Sequence, residues 1–226
     1  MAQQWNDLLF AHWPIPEAEL RAVVPAALPI DTFDGYAWIG VVPFHMSGVR
    51  LRWLPELSSV SAFPELNVRT YTTLDGKPGV YFFSLDAANH LAVAGARLSF
   101  RLPYFYAEMS VRTGEVIEYE SRRADRSSPP ARFAGRYRPR GEVFRSEPGS
   151  LAYWLTERYC LYTGDRRGRV YRAEILHDQW PLQPAEADIV RNTMTRPVGI
   201  ELPDTKPVLH FSERVNVVVW PPRRIR

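Results

Sequence analysis

The sequence predicts an α+β fold that is mainly β: a barrel or sandwich with a few helices packed outside it or capping an end. Three observations carry this reading. Glycine-bearing turn signals recur between segments rich in β-branched and aromatic residues. Helical patterns are short and fall only between such segments. The chain of 226 residues is 46% hydrophobic and 13% aromatic, enough to bury a sizeable core, and one domain over residues 1–226 is expected.

The elements follow in chain order. Pro16, Glu17 and Glu19 predict a short helix, because proline suits the first helical position and acidic side chains favour the positive end of the helix dipole. Leu20, Val23 and Val24 continue it and Pro25 ends it. Asp34-Gly35 then separates residues 28–33 from 36–44, and Asp75-Gly76 separates 66–73 from 79–85. Thr113-Gly114 separates 104–112 from 115–121, and the run 164–168 separates 158–163 from 169–177. Each reads as a hairpin, since glycine reaches the positive φ that tight turns need. A last strand is expected from about 208 to 220, before Pro221-Pro222. Three further helices are predicted: 86–98 capped by Asp86, 150–156, and 184–194 with Glu186 and Asp188 in its first turn. Residues 122–148, with their prolines and Gly135 and Gly141, resemble a long loop.

Composition narrows the chemistry. The net charge is +3, and lysine occurs only at 77 and 206, the other 26 basic residues being arginine. Any mechanism that needs a lysine amine therefore has two candidates. A lone cysteine, Cys160, excludes an internal disulfide and sits in an apolar run, where a buried inert thiol and a cytoplasmic setting are expected. Residues 1–10 carry no basic side chain and 8–11 are only a short apolar run, which predicts neither a signal peptide nor a membrane span. The five histidines have no metal-binding spacing, and there is no Cys-x-x-Cys, no Gly-x-Ser-x-Gly elbow, no phosphate loop and no dinucleotide fingerprint. No metal and no cofactor are implied.

Two stretches have a polar logic of their own. In 65–71 the side chains alternate: Glu65, Asn67, Arg69 and Tyr71 share one face, Leu66, Val68 and Thr70 the other. Alternation usually marks a solvent face. The next strand, 80–85, is apolar on both faces except at Ser84, which argues for burial on both sides and for a polar barrel interior behind 65–71. The second stretch, 122–145, holds eight arginines against Asp125 and Glu142, with Phe133, Tyr137 and Phe144 interleaved. Arginines with aromatics can grip a nucleic acid. Pairing with acids elsewhere in the fold is the preferred reading, because no nucleic-acid motif accompanies the charge.

The segments Leu9-Phe10-Ala11-His12-Trp13-Pro14, Asp31-Thr32-Phe33-Asp34-Gly35, Phe63-Pro64-Glu65-Leu66-Asn67-Val68-Arg69-Thr70-Tyr71, Gly79-Val80-Tyr81-Phe82-Phe83-Ser84-Leu85-Asp86-Ala87 and Leu155-Thr156-Glu157-Arg158-Tyr159 resemble the YqjF-like family of uncharacterised bacterial proteins. That family is similar in fold to acetoacetate decarboxylase, so the resemblance implies a closed, cone-shaped β-barrel around a small cavity, with a few peripheral helices. It does not carry the decarboxylase chemistry. In that enzyme a Pro-Lys-Lys stretch supplies the Schiff-base lysine, whereas here Tyr104 and Phe105 follow Pro103. A Schiff base needs a primary amine, and both Lys77 and Lys206 read as solvated turns.

The resemblance also matches Glu65 to a carboxylate lining the family's cavity. The ligand-binding candidates are accordingly Glu65, Asn67, Arg69, Ser84, Arg97, Tyr104 and Tyr106. A sheltered guanidinium suits a carboxylate or polarised carbonyl, and Glu65 could act as a base or simply neutralise Arg69. The leading expectation is a cavity that binds a small carboxylate or carbonyl-bearing molecule, with catalysis left open. A non-catalytic scaffold or partner-binding protein with a filled cavity is the second reading, and nucleic-acid binding through 122–145 the weakest. A homo-oligomer is left open, and no membrane partner is expected.

Overall fold

Strands with two buried faces carry no polar alternation, and the apolar run 8–11 of the first strand is of this kind. The computed structural model describes residues 1–50, 62–165 and 167–226. Residues 2–15 form β1 (Ala2–Ile15), in which Leu8 and Phe10 face one core and Leu9 and Ala11 another. After α1 (Glu17–Arg21) come β2 (Ala37–Arg50), β3 (Phe63–Leu74) and β4 (Lys77–Ala87). Then follow α2 (His90–Phe100), β5 (Tyr104–Arg112), β6 (Ile117–Arg123), β7 (Arg132–Pro139) and α3 (Leu151–Thr156). The chain ends with β8 (Cys160–Gly164), β9 (Val170–His177), β10 (Gln183–Asn192), β11 (Val208–Val219) and β12 (Arg223–Arg224).

The fold is mainly β, as expected, and its one sheet is ring-like rather than a simple barrel. The strand order β12-β9-β8-β4-β3-β2-β1-β11-β10-β7-β6-β5 is closed by two further pairings, β9 with β11 and β4 with β5. The first closure makes a ring of β9, β8, β4, β3, β2, β1 and β11. The second makes another through β10, β7, β6 and β5. The two rings share β4, β3, β2, β1 and β11 as a common wall, so most of this wall is buried on both faces. Closure removes exposed strand edges, which otherwise invite aggregation.

The hairpin at 75–76 forms as predicted: Asp75 and Gly76 both have positive φ (53° and 72°), the geometry that joins β3 to β4. Asp34 and Gly35 make the same kind of turn (51° and 81°), but their upstream arm is a single bridge, Phe33 to Tyr36, not a strand. β5–β6 and β8–β9 also pair antiparallel, although Arg166 in the latter turn lies outside the described residues.

Three expectations need correcting. Residues 184–194 are not a helix but β10, paired with β7 and β11. Ala185, Ala187 and Ile189 turn towards a core, while Glu186 and Asp188 form cross-strand ion pairs with Arg138 and Arg140, and with Arg136. The acids that suggested a helix start are cross-strand partners. Residues 122–148 are not a long loop, since β7 lies inside them. Asp86 does not cap α2. It remains in β4, and Asn89 caps instead, accepting from the Ala92 N–H at 3.0 Å. Among the described residues, five of the eight arginines of 122–145 are in ion pairs: Arg122 with Glu108, Arg123 with Asp86, and Arg136, Arg138 and Arg140 as above.

Candidate functional site

Strand β3 places the site. Its alternation survives in space: Leu66 and Val68 join a core with Tyr119, Phe133 and Tyr137 of the second ring, and Tyr71 joins the core of the first ring. Glu65, Asn67 and Arg69 line a pocket in that first ring, although all three are more than nine-tenths buried (2%, 6% and 8% exposed). Across the hairpin, Phe82 lies opposite Arg69 and Leu85 opposite Asn67, and both line the same pocket. A register shift between these pairs places Ser84 opposite Val68, so Ser84 is not among the lining residues. Leu161 of β8, Ile175 of β9, Val219 of β11 and Trp5 of β1 complete a largely apolar wall around about 70 Å³. Phe100 and Leu102 bring the end of α2 and the residues after it to one side.

Tyr104 begins β5, pairs in parallel with Leu85, and donates its hydroxyl to Glu65 Oε2 at 2.9 Å. The pair is fully enclosed. Burial pushes the Glu65 carboxyl up to about 8, against the opposing pull of the Tyr104 hydrogen bond, with Asp86 adding to the rise. At neutral pH Glu65 is therefore a neutral acid able to donate a hydrogen bond, and burial together with Glu65 raises Tyr104 well above the ordinary phenol range. Glu65 does not neutralise Arg69. No ion pair joins them, and same-face positions four residues apart on a strand are about 13 Å apart at Cα.

Arg69 has no carboxylate partner among the described residues. Its Nη2 donates to the Leu155 carbonyl at a long 3.4 Å, its Nε has no partner, and its guanidinium lies 5.3 Å and 5.8 Å from the ring centres of Phe10 and Tyr71. Asn67 Oδ1, Gln3 Oε1 and Trp5 Nε1, on the same pocket, are likewise buried without a hydrogen bond among the described residues. A buried polar atom left unpaired costs about 1–3 kcal/mol, so four around one small space form an unusual concentration.

The remaining candidates sit elsewhere. Arg97, on α2, donates to the Tyr104 carbonyl at 2.6 Å and pairs with Asp125 at 2.6 Å on the outer side. Tyr106 stacks on His90 with ring centres 3.4 Å apart. The structure thus brings together Glu65, Asn67, Arg69 and Tyr104, and leaves Ser84, Arg97 and Tyr106 off the pocket. Gln3 and Trp5 were not singled out in the sequence. No local pattern in the first strand sets them apart. Lys77 pairs with Glu174 at the outer start of β4 and Lys206 is exposed, so neither amine reaches the pocket. Among the described residues no group of three or more His, Cys, Asp or Glu side chains is placed to hold a metal ion, and no helix is long and apolar enough to cross a membrane.

The model of the uncharacterized conserved protein family DUF2071 matches residues 2–216. The chain is 51% identical over 225 residues to the uncharacterized protein YqjF of Bacillus subtilis (strain 168), covering 99% of this chain and 92% of that protein. Among solved structures it is similar to an acetoacetate decarboxylase-like enzyme from Sphingomonas wittichii RW1, with a TM-score of 0.65 and 11% identity over 100% of this chain and 92% of that one. It is also similar to the enduracididine biosynthesis enzyme MppR complexed with pyruvate, with a TM-score of 0.62 and 7% identity over 99% of this chain and 89% of that one. At such identities the structural likeness speaks for the fold alone.

Proposed function

This chain belongs to the DUF2071 family, and we propose that its ring pocket binds a small carboxylate or carbonyl-bearing molecule. The observation that carries the reading is Arg69: a residue only 8% exposed, with no acid beside its guanidinium among the described residues and an unpaired Nε. A buried charge without a counter-ion costs several kcal/mol, and a ligand carboxylate offsets that cost with a short, charge-assisted bond. Asn67, midway along the row, meets the body of the ligand, and protonated Glu65, held by Tyr104, donates to its far oxygen. The pocket suits a molecule of only a few non-hydrogen atoms, since liquid water alone takes about 30 Å³ per molecule. Pyruvate, bound by the similarly folded MppR, is of this class.

The reading does not include imine chemistry, for which no lysine lines the pocket. A filled scaffold would leave Asn67 Oδ1 and Arg69 Nε buried with no partner among the described residues, which favours a ligand over that alternative. A cytoplasmic setting fits the single buried, free Cys160. Thermal-shift and calorimetric titrations with pyruvate and acetate, against the uncharged acetamide, test the proposal. Carboxylates are expected to raise the melting temperature saturably, and Arg69→Met to weaken them at least about tenfold, as loss of a charged hydrogen bond predicts. Equal responses to acetate and acetamide, or none to either carboxylate, would overturn it.

A further inference from the structure

The pocket shows where Arg69 ends; the wall behind it shows what holds it there. His12, Gly40 and Arg69 lie side by side across β1, β2 and β3: His12 pairs with Gly40, and Gly40 with Arg69. Gly40 needs no special backbone conformation, but a Cβ on it would stand 2.9 Å from His12 Cδ2, 3.0 Å from His12 Nε2 and 3.4 Å from Arg69 Cγ. His12 is fully buried, so it cannot swing away to make room. The imidazole is fastened in turn: its Nε2 shares a 2.6 Å hydrogen bond with the Tyr71 hydroxyl, and its ring stacks on Phe10 with centres 6.2 Å apart. Phe10 and Tyr71 are the same two rings that flank the Arg69 guanidinium. On its other side Tyr71 meets Trp154 at 4.7 Å and the Arg158 guanidinium at 5.0 Å. Arg158 is itself tied to Asp31 at 2.7 Å.

Deepening the pocket reading, on which it rests for its ligand, we propose that His12, Gly40 and Tyr71 form a seat that positions Arg69 towards the pocket without neutralising it. An acid in their place would hold the guanidinium equally well, but would also satisfy its charge and leave nothing for a ligand. Aromatic faces and an imidazole restrain the side chain by shape and leave its charge open. His12 serves this only as a neutral ring, which burial first, and then the charge of Arg69, enforces by holding it well below the usual histidine range. None of the three lines the pocket, so their role is positioning and not contact.

The test separates the seat from the ligand. With arginine-labelled protein, the Arg69 Nε–H resonance is identified by its loss in Arg69→Lys and then followed in Tyr71→Phe and Gly40→Ala without any ligand. Both variants are expected to move it and to speed its exchange with water, and to weaken pyruvate binding about tenfold, while Tyr104→Phe leaves the resonance in place. Should Gly40→Ala fail to fold, Tyr71→Phe, which keeps the ring and removes only the hydroxyl, decides alone. An unmoved resonance in a folded Tyr71→Phe protein overturns the seat. If the unaltered protein binds no pyruvate, the pocket proposal falls while the resonance still judges the seat.

Discussion

On one side of β3, Leu66 and Val68 meet a core whose polar groups are well supplied; on the other, Glu65, Asn67 and Arg69 face a pocket where several are not. On the supplied side, the Tyr119 hydroxyl donates to the Glu65 carbonyl at 2.7 Å, and Tyr137 donates to the Asp7 carbonyl at 2.8 Å. Arg123 there grips both oxygens of Asp86, with each side chain almost wholly enclosed. Ser84 and Ser121 are among its exceptions, each a single hydroxyl without a partner among the described residues. The same strand therefore serves a core finished by its own side chains and a space left unfinished. The lesson is that burial alone does not mark a site; several unpaired buried atoms gathered around one space do.

The contrast can be broken in three places. The largest effect is expected from Arg123→Ala, which leaves Asp86 buried without its partner; breaking such a buried pair costs about 3–5 kcal/mol. Urea denaturation at neutral pH measures it, and a loss under about 1 kcal/mol would mean the supplied side is not held by its ion pair.

A middle effect belongs to Glu65. Its carboxyl titrates near 8 when folded and near 4.5 when not, so the native state holds the extra proton and stability is lost as pH rises through that interval. At about 1.4 kcal/mol per unit, raising the pH from 6.5 to 9 should remove about 2 kcal/mol. Glu65→Gln, which cannot ionise, should remove most of that slope; identical slopes in the two proteins would place Glu65 among the ionised, supplied groups. His12 works in the opposite sense. Its depressed folded value means that stability falls as pH drops below the ordinary histidine value of 6.5, because only the unfolded chain takes up the proton.

The smallest effect sharpens the comparison most. Asn67→Leu removes an amide that makes no hydrogen bond to the described protein, so stability should change by less than about 1 kcal/mol or even rise. Binding of pyruvate should weaken in the same variant. A large loss of stability would show that Asn67 is structural, and that the two sides of β3 do not differ as described.

Much of the site was legible because alternation in a strand is a local property. Glu65, Asn67 and Arg69 had to share a face once 63–74 was extended. Tyr104 was reachable from the residues that follow Pro103. Ser84 and Arg97 were not separable from them, since a one-residue register shift turned Ser84 to the other core and an outer ion pair claimed Arg97. β10 was mistaken for a helix because its acids at 186 and 188 signal a helix start when read alone, and their partners stand some fifty residues away on β7. β1 passed unnoticed because a strand buried on both faces lacks the alternation that announces one.

Read alone, the sequence carries a mainly β chain, its hairpin at Asp75-Gly76, the polar row on β3 and a supply of only two lysines. These depend on backbone preference and side-chain chemistry within a few residues. Only the tertiary structure decided that the sheet closes twice around a shared wall, that Arg69 is braced by His12, Gly40 and Tyr71, and which polar atoms are left without partners. Partnership depends on neighbours brought in from distant strands, and no local pattern records which of them arrive.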